Sequence, residues 1–368
     1  MHLPPFMLDQ WLAKYGFRDP PVRFNLAAST GPRWTFEELE SLSVGQLNFS
    51  KSALVYAPPE GALELRAEIA NLYDVDPAWV VLTTGASEAI SILLCLAAKP
   101  DANVVVPYPG YPAYAAMARA WSLDIRQAQL PREKDFEQDK EAVLKAVDDD
   151  TVLALVNTPH LPTGSVFSRS DIKVLAATLE GQGIPVVVDE VFHPLYYDTK
   201  QETAAGLRNV IVIGDMSKAF SLAGLRIGWI IDADTERRER IINARSYFTV
   251  SGSPLTEAVA VHALRNSDRL LSRLISTCSA NLEKLEIMMD CSDVLSWVRP
   301  IGGTTCFPWF TDGRNSRPFC KSLAEAGVLI VPGDCFGAPE HMRIGLGART
   351  DDFEQALGIL QKALTEIR

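Results

Sequence analysis

Short runs of apolar residues alternate, over the first two thirds of the chain, with stretches in which apolar residues recur at helical spacing. The apolar runs predict five buried strands, at residues 80–83, 103–106, 152–156, 184–188 and 210–213. The helical spacing predicts helices at residues 86–98, 113–120 and 170–181. Because apolar strands joined by helices are typical of a mostly parallel sheet covered on both faces, the pattern predicts an α/β fold.

The last third of the chain has a different pattern. A long helical stretch begins near Leu255, and residues 297–310 and 328–346 then have the composition of strands. A chain of 368 residues is longer than one typical domain. We therefore expect a large domain followed by a smaller one.

Composition excludes several classes of protein. The apolar share of 47% and the charged share of 22% are ordinary for a globular protein, and a net charge of −11 argues against nucleic-acid binding. We expect no membrane span, because no apolar run is long enough, and we expect no metal site. The six cysteines lack CxxC spacing and residues 1–5 do not resemble a signal peptide, so we expect a cytoplasmic protein with reduced thiols.

One lysine stands in a setting that indicates chemistry. Lys218 lies between the apolar runs 210–213 and 227–231, and Arg226 follows eight residues later. A lysine surrounded by apolar residues loses its proton more easily, and its neutral amine condenses with an aldehyde to form a Schiff base. A guanidinium group suits a phosphate. An aldehyde and a phosphate together indicate pyridoxal 5′-phosphate (PLP), although a surface lysine beside a structural arginine is the alternative.

Residues 217–229, with the motifs before and after them, resemble the class I and II aminotransferases, which have PLP fold type I. The resemblance extends from about Phe24 to Arg343. Residues 35–39, 251–255 and 302–308 are similar to the branch of the family that includes capreomycidine synthase. The resemblance implies a large PLP-binding domain with a mostly parallel central sheet (46–254), a smaller α/β domain (255–368) and an N-terminal segment (1–45) that joins the smaller domain.

The same resemblance implies which residues bind the cofactor. Gly85, Ala86 and Ser87 follow a strand and open a helix, where free N–H groups attract a phosphate. Tyr111 is placed to stack on the pyridine ring. The carboxylate of Asp189 is placed to bind the protonated pyridine nitrogen, which keeps the ring electron-withdrawing. Ser217, Lys218 and Arg226 complete the implied cofactor contacts.

Three further residues are implied to bind substrate or to come from a partner subunit. Arg343 lies on an apolar strand and is placed to bind the substrate α-carboxylate with its guanidinium fork. Gly31, in the segment 29–31, is implied to lie near the substrate. Tyr56 is implied to reach the phosphate bound in the other subunit, which predicts a homodimer with shared active sites.

The chain departs from the family pattern around the cofactor's ring oxygen. Relatives carry an asparagine and a tyrosine that donate to this oxygen, whereas this chain has Leu161 and Phe192. His160 is an alternative donor, but we expect backbone groups of its turn to satisfy it, and we expect Asn157 to have a structural role at a strand end. Asp215 stands where relatives often carry a hydroxyl for the phosphate. Because a carboxylate and a phosphate repel each other, we expect the Asp215 carboxylate to turn away from the phosphate.

These features favour an aminotransferase that acts on an L-amino acid through a Schiff base on Lys218. The alternative is a PLP enzyme that performs elimination or replacement at the β- or γ-carbon, including ring closure, because the departures weaken the case for ordinary transamination. A ligand-sensing domain of a transcription regulator is the third possibility. It is disfavoured because such regulators carry a DNA-binding domain ahead of this fold and this chain is acidic.

Overall fold

The structure is a computed structural model that describes residues 3–42 and 53–367. Among these residues the helices are α1 (Met7–Gly16), α2 (Phe36–Glu40), α3 (Leu63–Tyr73), α4 (Gly85–Ala97), α5 (Pro112–Ala120), α6 (Lys140–Ala146), α7 (Arg169–Glu180), α8 (Thr235–Arg245), α9 (Pro254–Arg265), α10 (Ser267–Asp290), α11 (Ser316–Glu325) and α12 (Thr350–Glu366). The strands are β1 (Phe24–Asn25), β2 (Val80–Thr83), β3 (Asn103–Tyr108), β4 (Asp124–Gln129), β5 (Thr151–Asn157), β6 (Val186–Asp189), β7 (Val210–Asp215), β8 (Gly228–Asp232), β9 (Leu295–Ser296), β10 (Thr305–Cys306), β11 (Trp309–Phe310), β12 (Val328–Leu329), β13 (Val331–Pro332) and β14 (Met342–Gly345).

Strands β2 to β8 form one seven-stranded sheet in the order β2-β8-β7-β6-β5-β3-β4. Strand β8 runs antiparallel to both of its neighbours, and the other pairs are parallel. Apolar residues on the two faces of this sheet belong to two separate core clusters. The sheet is therefore mostly parallel and buried on both faces, and the predicted α/β fold is confirmed.

The five predicted strands are all present, with small differences at their ends. The strand predicted at 184–188 begins at Val186 as β6, and β3 and β7 each extend two residues further than predicted. Strand β4 was not predicted from the sequence. It lies at the edge of the sheet, its residues are mostly polar, and only Ala128 within it is buried. A partly exposed edge strand lacks the continuous apolar run by which buried strands are recognised.

The C-terminal part contains short strands and long helices. The helical stretch expected from Leu255 is divided between α9 and α10, and within 297–310 only β10 and β11 are strands. The N-terminal segment packs against this part: β1 pairs in parallel with β12, and the indole N–H of Trp11 donates to the carbonyl of Ile330 at 2.9 Å. None of the described helices has the length and apolar character needed to cross a membrane.

Candidate active site

A cavity of about 220 Å³ lies beyond the carboxyl ends of the central strands. In open parallel sheets this edge is where ligands bind, because loops and helix N-termini converge there. Helix α1, the large sheet and strand β14 all contribute to its wall. The lining residues are Leu8, Asp9, Leu12, Ser29, Ala86, Ser87, Ile90, Tyr111, Tyr114, Asn157, Leu161, Asp189, Val191, Phe192, Asp215, Ser217, Lys218, Ala223, Arg226 and Arg343.

Larger depressions exist on the surface, but their chemistry is weaker. One cleft of about 620 Å³ runs along β4 and α6 and is lined mainly by polar side chains on the protein surface. The smaller cavity instead brings buried Asp189 and Arg343 together with Lys218. Buried charged groups that converge on one cavity are typical of a catalytic site, and we therefore assign the site to the smaller cavity.

Lys218 follows β7 by three residues and points into the cavity. Its Nζ donates to the Oγ of Ser29 at 2.9 Å, which joins the N-terminal segment to the lysine. Burial lowers the pKa of the Lys218 amine, and the positive charges of Arg343 and Arg226 lower it further, while Asp215 and Asp189 act in the opposite direction. The net shift favours the neutral amine, which is the nucleophilic form.

Asp189 ends β6 and is held by two hydrogen bonds. The hydroxyl of Tyr114 donates to its Oδ2 at 2.7 Å, and the backbone N–H of Val191 donates to its Oδ1 at 3.0 Å. Burial raises the pKa of Asp189 to about 6, and the two hydrogen bonds moderate that rise. The carboxylate is thus fixed in position and is ionised at neutral pH.

The N-terminus of α4 and Arg226 form a cradle for an anion. Gly85 opens α4 with φ +74°, and a Cβ at this position would come within 2.5 Å of the Nη2 of Arg226. A Cβ on Gly228 would come within 2.5 Å of the carbonyl carbon of Gly85. Glycine at position 85 therefore lets the guanidinium approach the start of the helix, and glycine at position 228 lets strand β8 approach it. Ala86 and Ser87 line the cavity at this point. Free N–H groups and a guanidinium together favour a phosphate.

Arg343 lies on β14 and is only 2% exposed. Its Nη2 donates to the carbonyl of Ala27, and its guanidinium lies 5.3 Å from the centre of the Phe336 ring. Its Nε is buried without a hydrogen-bond partner among the described residues. Burial lowers the pKa of Arg343 to about 10, so the group is still cationic at neutral pH. A buried guanidinium with unused donors suits a carboxylate ligand.

Tyr111 precedes α5 and lies on the cavity wall. Its ring meets the Tyr114 ring edge-on, with 5.4 Å between centroids and an interplanar angle of 89°. Burial raises the pKa of Tyr111 to about 12, and the negative charges of Asp9 and Asp189 add to the effect. The hydroxyl is therefore neutral, and the ring offers a flat aromatic surface to the cavity.

Leu161 and Phe192 are buried on the wall of the cavity, so the apolar side chains do face the site. Asn157 has the structural role that the sequence suggested: its Nδ2 donates to the Asp189 carbonyl at 2.9 Å and its Oδ1 accepts from the Leu161 N–H at 2.7 Å. His160 lies outside the cavity lining, and its Nδ1 contacts the Thr163 hydroxyl at 2.8 Å. Burial lowers the pKa of His160 to about 3, so its ring is neutral.

Asp215 borders the cavity. That its carboxylate turns away from the phosphate stays a prediction. The Ser217 N–H donates to its Oδ1 at 2.8 Å, and this hydrogen bond, which closes a tight turn after β7, fixes the carboxylate beside the lysine.

Three residues implied by the resemblance do not line the cavity: Gly31, Tyr56 and Gly85, which directly precedes the lining residue Ala86. The N–H of Gly31 donates to the Oγ of Ser221 at 2.9 Å, and a Cβ on Gly31 would collide with Leu274 at 2.3 Å. Ser29, two residues earlier, lines the cavity in its place. Tyr56 is 83% exposed. Tyr114 and the α1 residues were not predicted from the sequence, because they carry no motif and reach the site only through tertiary packing. Ser29 was predicted only as part of the segment 29–31.

The chain is similar to known proteins over nearly its whole length. The family profile described as "Aminotransferase class I and II" matches residues 29–360. A capreomycidine synthase of Streptomyces vinaceus is 30% identical over 98% of this chain and 94% of the relative. The tyrosine aminotransferase of Bos taurus is 33% identical over 89% of this chain and 76% of the relative.

Solved structures of similar shape are PLP-dependent enzymes. An aminotransferase from Streptococcus suis superposes with a TM-score of 0.92 at 24% identity, over 100% of this chain and 99% of that one. A structure described as the PLP-dependent cyclase OrfR superposes with a TM-score of 0.89 at 26% identity, over 100% of this chain and 99% of that one. The first likeness concerns the fold, which is PLP fold type I.

Proposed function

The chain belongs to the class I and II aminotransferase family, and from that premise we propose that it transfers the amino group of an L-amino acid at the Lys218 cavity. Its cofactor is PLP. The observation that carries the proposal is the convergence of Lys218, Asp189 and Arg343 on one cavity. Lys218 supplies an amine for the cofactor aldehyde and Asp189 a carboxylate for the pyridine nitrogen. Arg343 supplies a guanidinium for the substrate α-carboxylate.

The residues present fit PLP. The N-terminus of α4 and Arg226 form a cradle that a Cβ at Gly85 would fill, and this cradle suits the phosphate. Asp189, ionised at neutral pH, suits a protonated pyridine nitrogen, and Tyr111 suits the face of the ring. The amine of Lys218 is the group that would hold the aldehyde.

When bound, PLP withdraws electrons from the substrate α-carbon and so makes its proton acidic. Arg343 would hold the α-carboxylate through its unused donors, which orients the bond that must break. The Lys218 amine would then take the proton from the α-carbon, because its lowered pKa keeps part of it neutral. Leu161, Val191 and Phe192 make the wall apolar and exclude water from these charges.

Cleavage or ring closure is the second candidate. Leu161 and Phe192 place apolar carbon on the wall where family members carry donors. Two of the similar proteins are named as a capreomycidine synthase and a PLP-dependent cyclase. These observations support an enzyme that eliminates, replaces or cyclises at the β- or γ-carbon with the same proton-transfer residues.

The two candidates differ in what becomes of the amino group. The holoenzyme is incubated with single L-amino acids, with and without a 2-oxo acid, and the products are identified by mass spectrometry. Transamination requires the 2-oxo acid and yields the corresponding new amino acid in equal amount. Consumption of the substrate without a 2-oxo acid, with loss of a side-chain group or formation of a ring, would instead establish the second candidate.

We expect Arg343→Ala to lower kcat/KM for amino acids. The loss should correspond to a rise of about 2–4 kcal/mol in the activation free energy, the cost of losing a buried charge-assisted contact. Arg343→Lys keeps the charge but loses the fork and should fall between. Steady-state kinetics with an amino acid and with its amide check the assignment. The loss should be large for the acid and small for the amide, and equal losses for both would move the carboxylate site elsewhere.

The homodimer is also part of the proposal. Leu54, Val55 and Tyr56 are 80%, 66% and 83% exposed in the single chain, which is unusual for three consecutive apolar or aromatic residues. A second copy that buries this segment would account for it and would bring Tyr56 to the neighbouring phosphate.

Tyr56→Phe then tests the shared site. The variant should retain PLP less well by about 1.5–3 kcal/mol, the value of one hydrogen bond to a charged group. Equilibrium dialysis measures the retention, and light scattering measures the mass of both proteins. A fully active monomer would contradict the proposal, as would unaltered PLP retention in the variant.

We further propose the division into 46–254, 255–368 and an N-terminal segment 1–45. The contacts of β1 with β12 and of Trp11 with Ile330 support the attachment of the N-terminal segment to the smaller domain. The six cysteines are free thiols, which supports a cytoplasmic location.

A further inference from the structure

A buried carboxylate stands at the start of α4, the helix whose N-terminus forms the phosphate cradle. Glu88 lies in the first turn of this helix. Its Oε2 accepts the backbone N–H of Thr84, and its Oε1 accepts the hydroxyl of Thr249 at 2.6 Å. The carbonyl of Thr84 in turn accepts a hydrogen bond from the Nη2 of Arg226 at 3.5 Å. Glu88 therefore holds the residue that precedes the cradle, next to the guanidinium assigned to the phosphate.

The charge of Glu88 works against anion binding at this helix. Free N–H groups at a helix N-terminus attract a carboxylate in the first turn, and the same groups attract a phosphate. Two negative charges at one N-terminus repel each other, and the repulsion is stronger where protein replaces water. Because Arg226 is assigned to the phosphate, a cradle that contains Glu88 needs a second cation.

Arg245, the last residue of α8, supplies such a cation. It is fully buried, its Nη1 donates to the carbonyl of Pro59, and its Nε and Nη2 have no hydrogen-bond partner among the described residues. Burial lowers the pKa of Arg245, and the negative charge of Glu88 is the largest opposing influence. The carboxyl group of Glu257 is the next, but burial raises its pKa and so favours its neutral form. A buried guanidinium is stable only where its charge is balanced, and Glu88 balances this one.

The backbone after Arg245 brings the two charged residues together. The N–H groups of Phe248, Thr249 and Val250 donate to the Arg245 carbonyl at 3.0, 3.1 and 3.2 Å. Val250 has φ +65°, a conformation that is unfavourable for a β-branched residue and persists only where the surroundings impose it. This turn places the Thr249 hydroxyl on Glu88. The backbone strain therefore accompanies a specific contact between the end of α8 and the start of α4.

We propose that Glu88 and Arg245 are a positioning pair for the cofactor phosphate. Glu88 fixes the start of α4, and Arg245 offsets the charge of Glu88, so that the helix N-terminus still attracts a phosphate. The inference deepens the proposed function and rests on it, because it takes the cradle at α4 to hold the phosphate of PLP. Neither residue is assigned a role in proton transfer.

The test compares two cofactor forms that differ in the phosphate. The affinity of the cofactor-free protein is measured by equilibrium dialysis for PLP and for pyridoxal, which lacks the phosphate, and the ratio of the two affinities is compared among variants. Arg245→Gln should lower the ratio about 10-fold, the effect of one charge acting across several ångströms of protein. Adding Glu88→Gln to Arg245→Gln should return the ratio to within about 3-fold of the wild type, because the uncompensated charge is then removed.

Two further variants separate charge from packing. Arg245→Lys keeps the charge and should keep the ratio of the wild type. Arg66→Gln is the matched structural control, because Arg66 is also a largely buried arginine that donates to backbone carbonyls, those of Val80 and Pro77. A pair that only stabilises the fold would change the melting temperature and lower the affinities for PLP and pyridoxal alike. That result, or a double variant with the same low ratio as Arg245→Gln, would overturn the inference.

If Arg245→Gln does not fold, Glu88→Gln alone gives the answer. Its ratio should equal or exceed that of the wild type, because a charge that repels the phosphate is removed, and a lower ratio would overturn the inference. These affinities are measured without a substrate. A holoenzyme that transaminates no amino acid would therefore overturn the proposed function without changing the ratios on which this inference depends.

Discussion

Replacing Lys218 with alanine should lower kcat by about four orders of magnitude, the upper end for the loss of a positioned proton-transfer group. The variant loses both the amine that holds the cofactor aldehyde and the base beside the α-carbon. Kinetics at saturating substrate and cofactor measure the effect. Lys321→Ala, which removes an exposed lysine of α11, should behave as the wild type.

The outcome has a second readout besides rate. In the wild type, gel filtration should leave the cofactor bound, whereas in Lys218→Ala free exchange should resume because only non-covalent contacts remain. If Lys218→Ala keeps more than about a tenth of the wild-type kcat, a proton-transfer role for this lysine is untenable.

Asp189→Asn should have the next largest effect on kcat/KM. The loss should correspond to a rise of about 3–5 kcal/mol in the activation free energy, the cost of removing one member of a buried ion pair. Asparagine keeps the size of the side chain but cannot hold the pyridine nitrogen in its protonated form. The control is Glu190→Gln, which neutralises another buried carboxylate one residue after Asp189. Asn157→Asp is unsuitable as a control, because it would bury a second carboxylate beside that of Asp189.

The pH dependence of PLP binding also tests the role of Asp189, because the pKa of its carboxyl group fixes the direction of the change. Because burial raises the pKa of Asp189 to about 6, the carboxylate is neutral below that pH and ionised above it. The affinity of the cofactor-free protein for PLP should therefore rise as the pH rises through about 6. The cofactor phosphate also titrates near pH 6, so the relevant quantity is the difference between the wild type and Asp189→Asn.

Tyr114→Phe tests whether the Asp189 carboxyl group is the source of this pH dependence. The Tyr114 hydroxyl lowers the pKa of Asp189 through its hydrogen bond. Without this hydroxyl the pKa of Asp189 should rise. The curve of PLP affinity against pH should therefore move to higher pH while keeping its shape. A profile that stays in place would show that another group is responsible for it.

The strand ends were the predictable part of the site. Asn157, Asp189 and Asp215 end β5, β6 and β7, which are neighbours in the sheet. Parallel strands bring their carboxyl ends to one edge, so residues far apart in sequence could be expected near Lys218. The apolar runs that predict these strands owe their character to burial on both faces, which is why the sequence pattern was clear there.

The contribution of α1 could not be predicted in the same way. Its amphipathic pattern says that one face is buried, but not against which part of the chain. Leu8, Asp9 and Ser29 reach the cavity only because Trp11 and β1 bind the C-terminal part. The turn that holds the Asp215 carboxylate could not be predicted either, because it depends on the backbone N–H of Ser217, which every residue type except proline has.

The lysine that bears the cofactor can be identified directly. The holoenzyme is reduced with borohydride, which fixes the Schiff base, and then digested and mapped by mass spectrometry. The pyridoxyl group is predicted on the peptide that contains Lys218, at one per chain. Finding it on Lys51 or Lys321, or on no lysine, would contradict the account.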